Sequence, residues 1–323
     1  LEKKVGNLYW SGDARMRYTA SSSDKKADVY DGRIRLNVKG QVNDATYVQG
    51  QFVNNMNFKD EASSNTTMAQ IYVNHNFNKN VAVRLGRQPI AFGNQGGWLY
   101  NGLEGYDGAQ ASYNNGKLSL TTGFGQLNAS DFTDDTDPDG NVISYGVTGT
   151  DMYFAKGAYD FGFAKLGADY VKFQGDTNST DHYVAGDELY GINLNIPVQK
   201  FNVFGEYWKN TNAADKYDTA WNAGLSYGKA DWKKAGTWDL SVAYNDVDYN
   251  VYFGGGTWHN DMLKNFTAGY LNAYNLTFWT AIANVTLQKN VQLHAEYAFA
   301  ADAEGTFGVD PDDSWTVSLN YKF

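Results

Sequence analysis

The chain has 323 residues and is acidic, with 36 Asp and Glu against 26 Lys and Arg and a formal net charge of -10; such a balance argues against a nucleic-acid partner, which a basic surface would recruit. Cysteine is absent and only four histidines occur, which excludes disulfide frameworks, thiol nucleophiles and cysteine-built metal clusters. No run of about 18 apolar residues marks a membrane-crossing helix, yet 24 Tyr, 18 Phe, 9 Trp and 34 Gly stand beside only 4 Pro.

Apolar residues recur with period two almost everywhere, which is the strand period and not the helical one. From Leu8 to Tyr18, one face carries Leu8, Trp10, Gly12, Ala14, Met16 and Tyr18, while the other carries Ser11, Asp13, Arg15 and Arg17. From Gly32 to Val42 the same split sets Ile34, Leu36 and Val38 against Arg33, Arg35 and Asn37. Continued along the chain, the pattern predicts strands near 7–20, 29–42, 45–58, 66–77, 81–91, 105–114, 117–127 and 150–160. Eight more are predicted near 162–173, 186–196, 200–209, 217–227, 237–247, 277–287, 291–300 and 314–323. The last of these, SWTVSLNYKF, places Trp315, Val317, Leu319, Tyr321 and Phe323 on one face.

Connections alternate between short and long. Asn43-Asp44, Asn78-Lys79-Asn80, Asn115-Gly116, Asp160-Phe161-Gly162 and Gln288-Lys289-Asn290 have turn composition. The stretches 92–104, 128–149, 174–185, 248–276 and 301–313 are longer. Sixteen strands of about ten residues exceed the usual globular strand length. An even count, short turns at one end and long loops at the other predict an all-β fold, a 16-stranded antiparallel transmembrane β-barrel with apolar residues outward and polar residues inward. Both chain ends then lie on the short-turn, periplasmic side. A soluble sandwich also alternates, but it does not require this loop pattern.

With these residues in view, the chain resembles a trimeric general porin of the bacterial outer membrane. The most specific local signals are the final strand ending in Phe323 and the segment RLGRQPIAFG (84–93) followed by a glycine-rich loop. The resemblance implies a diffusion channel for small hydrophilic solutes and ions, a homotrimer in outer-membrane lipid and lipopolysaccharide, no cofactor, and a third loop, 93–105, folded into the barrel. Small outward residues on the first three strands, Gly12, Ala14, Gly32, Gly40 and Gly50, are expected to let a neighbouring copy approach. The opening LEKKVGNLYWSGDARMRY is similar to barrels of S-layer-homology-linked porins of diderm Firmicutes, with Leu1, Val5 and Leu8 at heptad spacing. That similarity implies residues 1–6 as the end of a periplasmic, coiled-coil-like segment, 7–323 as the barrel, and cell-wall attachment through a segment upstream of Leu1.

All six arginines fall between positions 15 and 87. Arg15, Arg17, Arg33 and Arg35 share lumen parity on adjacent strands, Arg84 takes lumen parity on the fifth, and Arg87 has the opposite parity and is expected where strand gives way to loop. Together they predict a basic wall at the constriction. The porin resemblance sets Glu104 and Asp107 opposite it, while Asp13 is expected to pair with a local arginine. An anion- or organic-acid-selective channel and a structural tether to the cell wall are the alternatives. His294 and Glu296 share a strand face, but no serine nucleophile is indicated, so an enzyme is not expected. The loop DDTDPDG (134–140) places Asp135, Asp137 and Asp139 like the first half of a calcium loop, but Gly146 stands where its glutamate belongs.

Overall fold

An alternating strand can bury one face in lipid and wet the other only if its backbone polar groups are all paired, and a closed sheet achieves this. The computed structural model describes residues 3–22, 28–58, 64–93, 97–127, 135–136, 142–143, 151–174, 188–213, 216–252, 262, 273–305 and 310–323. It is a closed 16-stranded antiparallel barrel. The wall strands are β1 (Leu8–Ser21), β2 (Val29–Asn43), β3 (Thr46–Asn57), β4 (Ser64–Asn76), β5 (Val81–Ala91), β6 (Asn101–Asn114), β7 (Leu118–Leu127) and β8 (Asp151–Asp160). They continue as β9 (Lys165–Gln174), β10 (Glu188–Val198), β11 (Phe201–Asn210), β12 (Thr219–Gly228), β13 (Trp238–Asp248), β14 (Ala273–Gln288), β15 (Val291–Gly305) and β16 (Ser314–Lys322). Each pairs with the next, and β16 pairs with β1 from Ser314↔Ser21 to Lys322↔Asp13. The predicted first-to-last closure is therefore present.

Turn chemistry explains the tight end. The Asn78 side chain accepts from Asn80 N and Val81 N, at 2.8 and 3.0 Å, and Asn115 accepts from Lys117 N and Leu118 N. Such Asx turns brace a tight hairpin alongside its backbone bonds, here Asn115 N to Leu118 O at 3.1 Å and Phe77 N to Val81 O at 3.0 Å. Gly116, at φ 92°, occupies the left-handed region a side chain disfavours. One connection on this side breaks the short rule. Residues 229–237 fold back over the β14–β15 turn, with Asn290 N donating to Trp232 O at 2.8 Å and Thr286 N to Thr237 O at 2.9 Å.

The outer face is apolar, with Ile34, Leu85, Phe124, Ile192 and Leu240 exposed, and aromatics gather at both ends of it. Toward the loops, Tyr18 meets Tyr30, Tyr170 meets Tyr190, and Tyr244 lies between Trp221 and Trp279. Toward the turns, Tyr159, Phe161 and Phe163 form a row, as do Phe201, Tyr227 and Trp238. Inward positions are polar along much of the wall, including Gln51, Asn193, Asn222, Thr280, Thr316 and Ser318, all buried.

Several expectations need correction. Strand β6 begins at Asn101, because Asn101 and Gly102 pair with Ala91 and Ile90 across a register shift at Pro89; the third loop is shorter than 93–105. Strands β14 and β15 run to Ala273 and Gly305, since bulges such as the one between Thr277 and Trp279 interrupt the alternation without ending the ladder. Lys3–Val5 is not a helical turn: it is extended and pairs with Leu8–Trp10 through Gly6. Finally, the notches at Gly12 and Gly32 are not open, for the rings of Phe323 and Phe58 lie where a Cβ would stand.

Candidate constriction site

The chain after β5 turns into the lumen. Lys156, inward on β8, donates through Nζ to the carbonyl of Ala91. The Phe92 ring packs 5.8 Å from Phe154 of β8 and 6.3 Å from Trp208 of β11. Gly93, at φ 84°, lies against the Glu206 carboxylate with no room for a Cβ, and its backbone lies near the Asp169 carboxylate of β9. A segment leaving β5 thus docks on the inner wall of β8, β9 and β11, several strands around the ring. Beneath it Glu206 is only 4% exposed, with its N–H donating to Asn222 Oδ1 and one oxygen accepting from Trp208 Nε1. Trp98, Leu99 and Tyr100 are buried in the same apolar cluster, which continues through Phe173, Leu189, Val247, Leu276 and Phe278 at the loop end of the lumen. These positions have lumen parity but apolar side chains, so alternation alone cannot distinguish them from outward residues.

The other wall is basic. Arg17 Nε and Nη2 both reach Asp31 Oδ2 at 2.7 Å, and Arg35 Nε reaches the two oxygens of Asp13 at 2.9 and 2.8 Å. Arg15 has a longer contact to Asp31, 3.6 Å, and Arg33 one to Asp13, 3.5 Å. Four of the five arginines that parity places in the lumen, Arg15, Arg17, Arg33 and Arg35, are therefore together, with two aspartates interleaved. Asp13 was expected to pair locally; Asp31 was missed, although it shares parity with Arg33 and Arg35.

The remaining predicted residues lie elsewhere. Arg84 faces the lumen on a row nearer the turns, 4.6 Å over the Tyr72 ring and bonded to Asn74 at 3.4 Å. Arg87 and Asp107 form a two-pronged pair, both bonds 2.7 Å. They share the outward parity of Leu85 and Ala109, two residues toward the loops from the level of Phe124. They are not constriction residues, because β5 and β6 keep an unbroken pairing register through Gln88↔Tyr106 and the shift that frees the loop comes only after Gln88. The side chain of Glu104 lies outside the described residues, as do Asp137 and Asp139, while Asp135 belongs to a two-residue pairing with Val142–Ile143. No group of three or more metal-ligating side chains occurs among the described residues.

His294 joins a chain of hydrogen bonds along the inner wall. Asn284 donates to Asp239 Oδ1 at 2.7 Å, and the His294 ring contacts Asn284 Oδ1 at 2.7 Å and Glu296 Oε1 at 2.8 Å. Both ring nitrogens are thus engaged, and Ser318, the cross-strand partner of His294, takes a bond from Asn320 at 2.9 Å. This arrangement aims no hydroxyl at a base in the manner of nucleophilic catalysis.

A closed 16-stranded ring with a loop folded onto its inner wall defines the porin fold class. Among solved structures the chain is similar to three engineered variants of the Rhodopseudomonas blastica porin, two triple mutants and a double mutant, each with a TM-score of 0.60 and 11% sequence identity. The matches cover 98% of this chain and 100% of those chains. No protein-family model and no curated protein matches it.

Proposed function

We propose that this chain is an outer-membrane porin, a passive diffusion channel for small hydrophilic solutes and ions. One observation carries this: a closed ring, apolar outside between two aromatic girdles and polar inside, is narrowed by a segment docked across its own lumen. Such a wall is suited to lipid and such a lumen to water. Solutes pass down their own gradients, so the function requires no cofactor. The ends of β1 and β16 near Asp13 and Lys322 lie at the short-turn end, and we place that end in the periplasm. The porin resemblance supports a homotrimer in lipid and lipopolysaccharide, and the clustered arginines favour a preference for anions within the general pore. Reconstitution into liposomes with sugars of graded size tests the reading. Swelling that falls steeply with solute size supports it, while vesicles that stay tight to the smallest sugar overturn it.

A further inference from the structure

The basic wall has an internal pattern. Three consecutive lumen-facing pairs join β1 to β2: Arg17↔Asp31, Arg15↔Arg33 and Asp13↔Arg35. The outer two each match one arginine with one aspartate at 2.7 to 2.9 Å. The middle pair sets two guanidinium groups directly opposite each other, an arrangement that destabilises a sheet unless something compensates. Among the described residues its only carboxylate contacts are the long ones, 3.6 Å from Arg15 to Asp31 and 3.5 Å from Arg33 to Asp13. Those two acids are already held by Arg17 and Arg35. Four guanidinium charges therefore share two carboxylates, and the deficit falls on one row.

Burial sharpens the argument. Arg15 is 6% exposed, so water screens its charge poorly. The Nε atoms of both Arg15 and Arg33 are buried and have no hydrogen-bond partner among the described residues. A buried donor left unsatisfied costs about 1 to 3 kcal/mol, and here two such donors sit in neighbouring side chains of like charge. The planar guanidinium fork matches two oxygens on one centre better than it matches a spherical ion.

We propose that Arg15 and Arg33 form a binding site for a small oxyanion, a carboxylate or phosphate group, which supplies the negative charge missing from the middle row. This deepens the diffusion-channel reading and rests on it: solutes bearing such a group pause at this point of the lumen, while chloride passes.

The test is single-channel recording in planar bilayers, with inorganic phosphate or acetate added to potassium chloride at matched ionic strength. In the wild type each oxyanion should reduce the chloride current along a saturating curve. Arg15→Gln and Arg33→Gln should each raise the half-effect concentration at least tenfold while the channels still open. Asp31→Asn should lower it several-fold, since Arg15 and Arg17 then lose their shared acid. If either glutamine variant fails to assemble, Arg15→Lys and Arg33→Lys keep the charge but lose the fork, and the half-effect concentration should still rise. Open channels whose current falls only in proportion to the chloride replaced, or a saturating block indifferent to these replacements, overturn the site and leave the pore standing. Absence of any channel removes the pore reading itself.

Discussion

Arg33 and Arg35 both lean on Asp13, and their charges act on a passing ion only within the screening distance of the lumen water, about 8 Å at physiological ionic strength. Replacing both by Glu leaves Asp13 without its partners and turns part of the wall acidic. The reversal potential in a dilute salt gradient should shift toward cations, with the shift shrinking as salt rises; an unchanged potential in dilute salt would place these side chains off the ion path. Arg87→Gln should leave selectivity nearly unchanged, because its partner is Asp107 on the outer face. Parity made the inward arginines legible in the sequence, since every second residue of a strand shares a face. It could equally have located Asp31, whose role emerges only from its cross-strand partner Arg17. The Arg87 and Asp107 assignment failed for a different reason. A strand's last regular residue depends on a bulge, and bulges have no simple periodic signature.

Among the elements, the segment that leaves β5 is anchored at its start by the bond from Lys156 to the Ala91 carbonyl. A hydrogen bond from a charged donor contributes about 1.5 to 3 kcal/mol. Lys156→Met should therefore lower the ratio of docked to undocked segment by roughly tenfold or more, read as larger and noisier single-channel currents. Equal conductance and noise would mean that the apolar packing of Phe92 against Phe154 and Trp208 suffices. At the seam, Gly12 lies under the Phe323 ring and against the Arg35 carbonyl, each 2.6 Å from where a Cβ would stand. Gly12→Val should destabilise the barrel by about 1 to 3 kcal/mol through overpacking, visible as a lower urea midpoint with the lumen chemistry intact. The strand count was readable because period two and turn composition agree at nearly every junction. The length of the β14–β15 hairpin was not, as its bulges reverse the apolar phase midway.

For the whole molecule, the lumen is two-sided: an apolar cluster with members from β5 round to β15 faces a polar and basic surface on β16, β1 and β2. The overall acidity of the chain, net -10, thus says little about the charge an ion meets inside. Native mass measurement in mild detergent should give three copies; a lone barrel with full conductance would oppose the trimer. Close approach of copies cannot rely on Gly12 and Gly32, whose hollows are filled by the chain's own rings. Apart from the seam, each wall junction joins strands that follow one another in the chain, and most are made by a local hairpin. The pairing of Ser314–Lys322 with Asp13–Ser21 joins segments about 300 residues apart. Closing so long a loop costs about 3 kcal/mol more than closing a ten-residue one. Without that pairing the sheet would have two bare edges, and a bare edge can pair with any strand that reaches it. Closure of the wall thus depends on one line of long-range pairing, and the Gly12 and Phe323 backbones, bonded to each other in both directions at 2.8 and 3.0 Å, mark one end of that line.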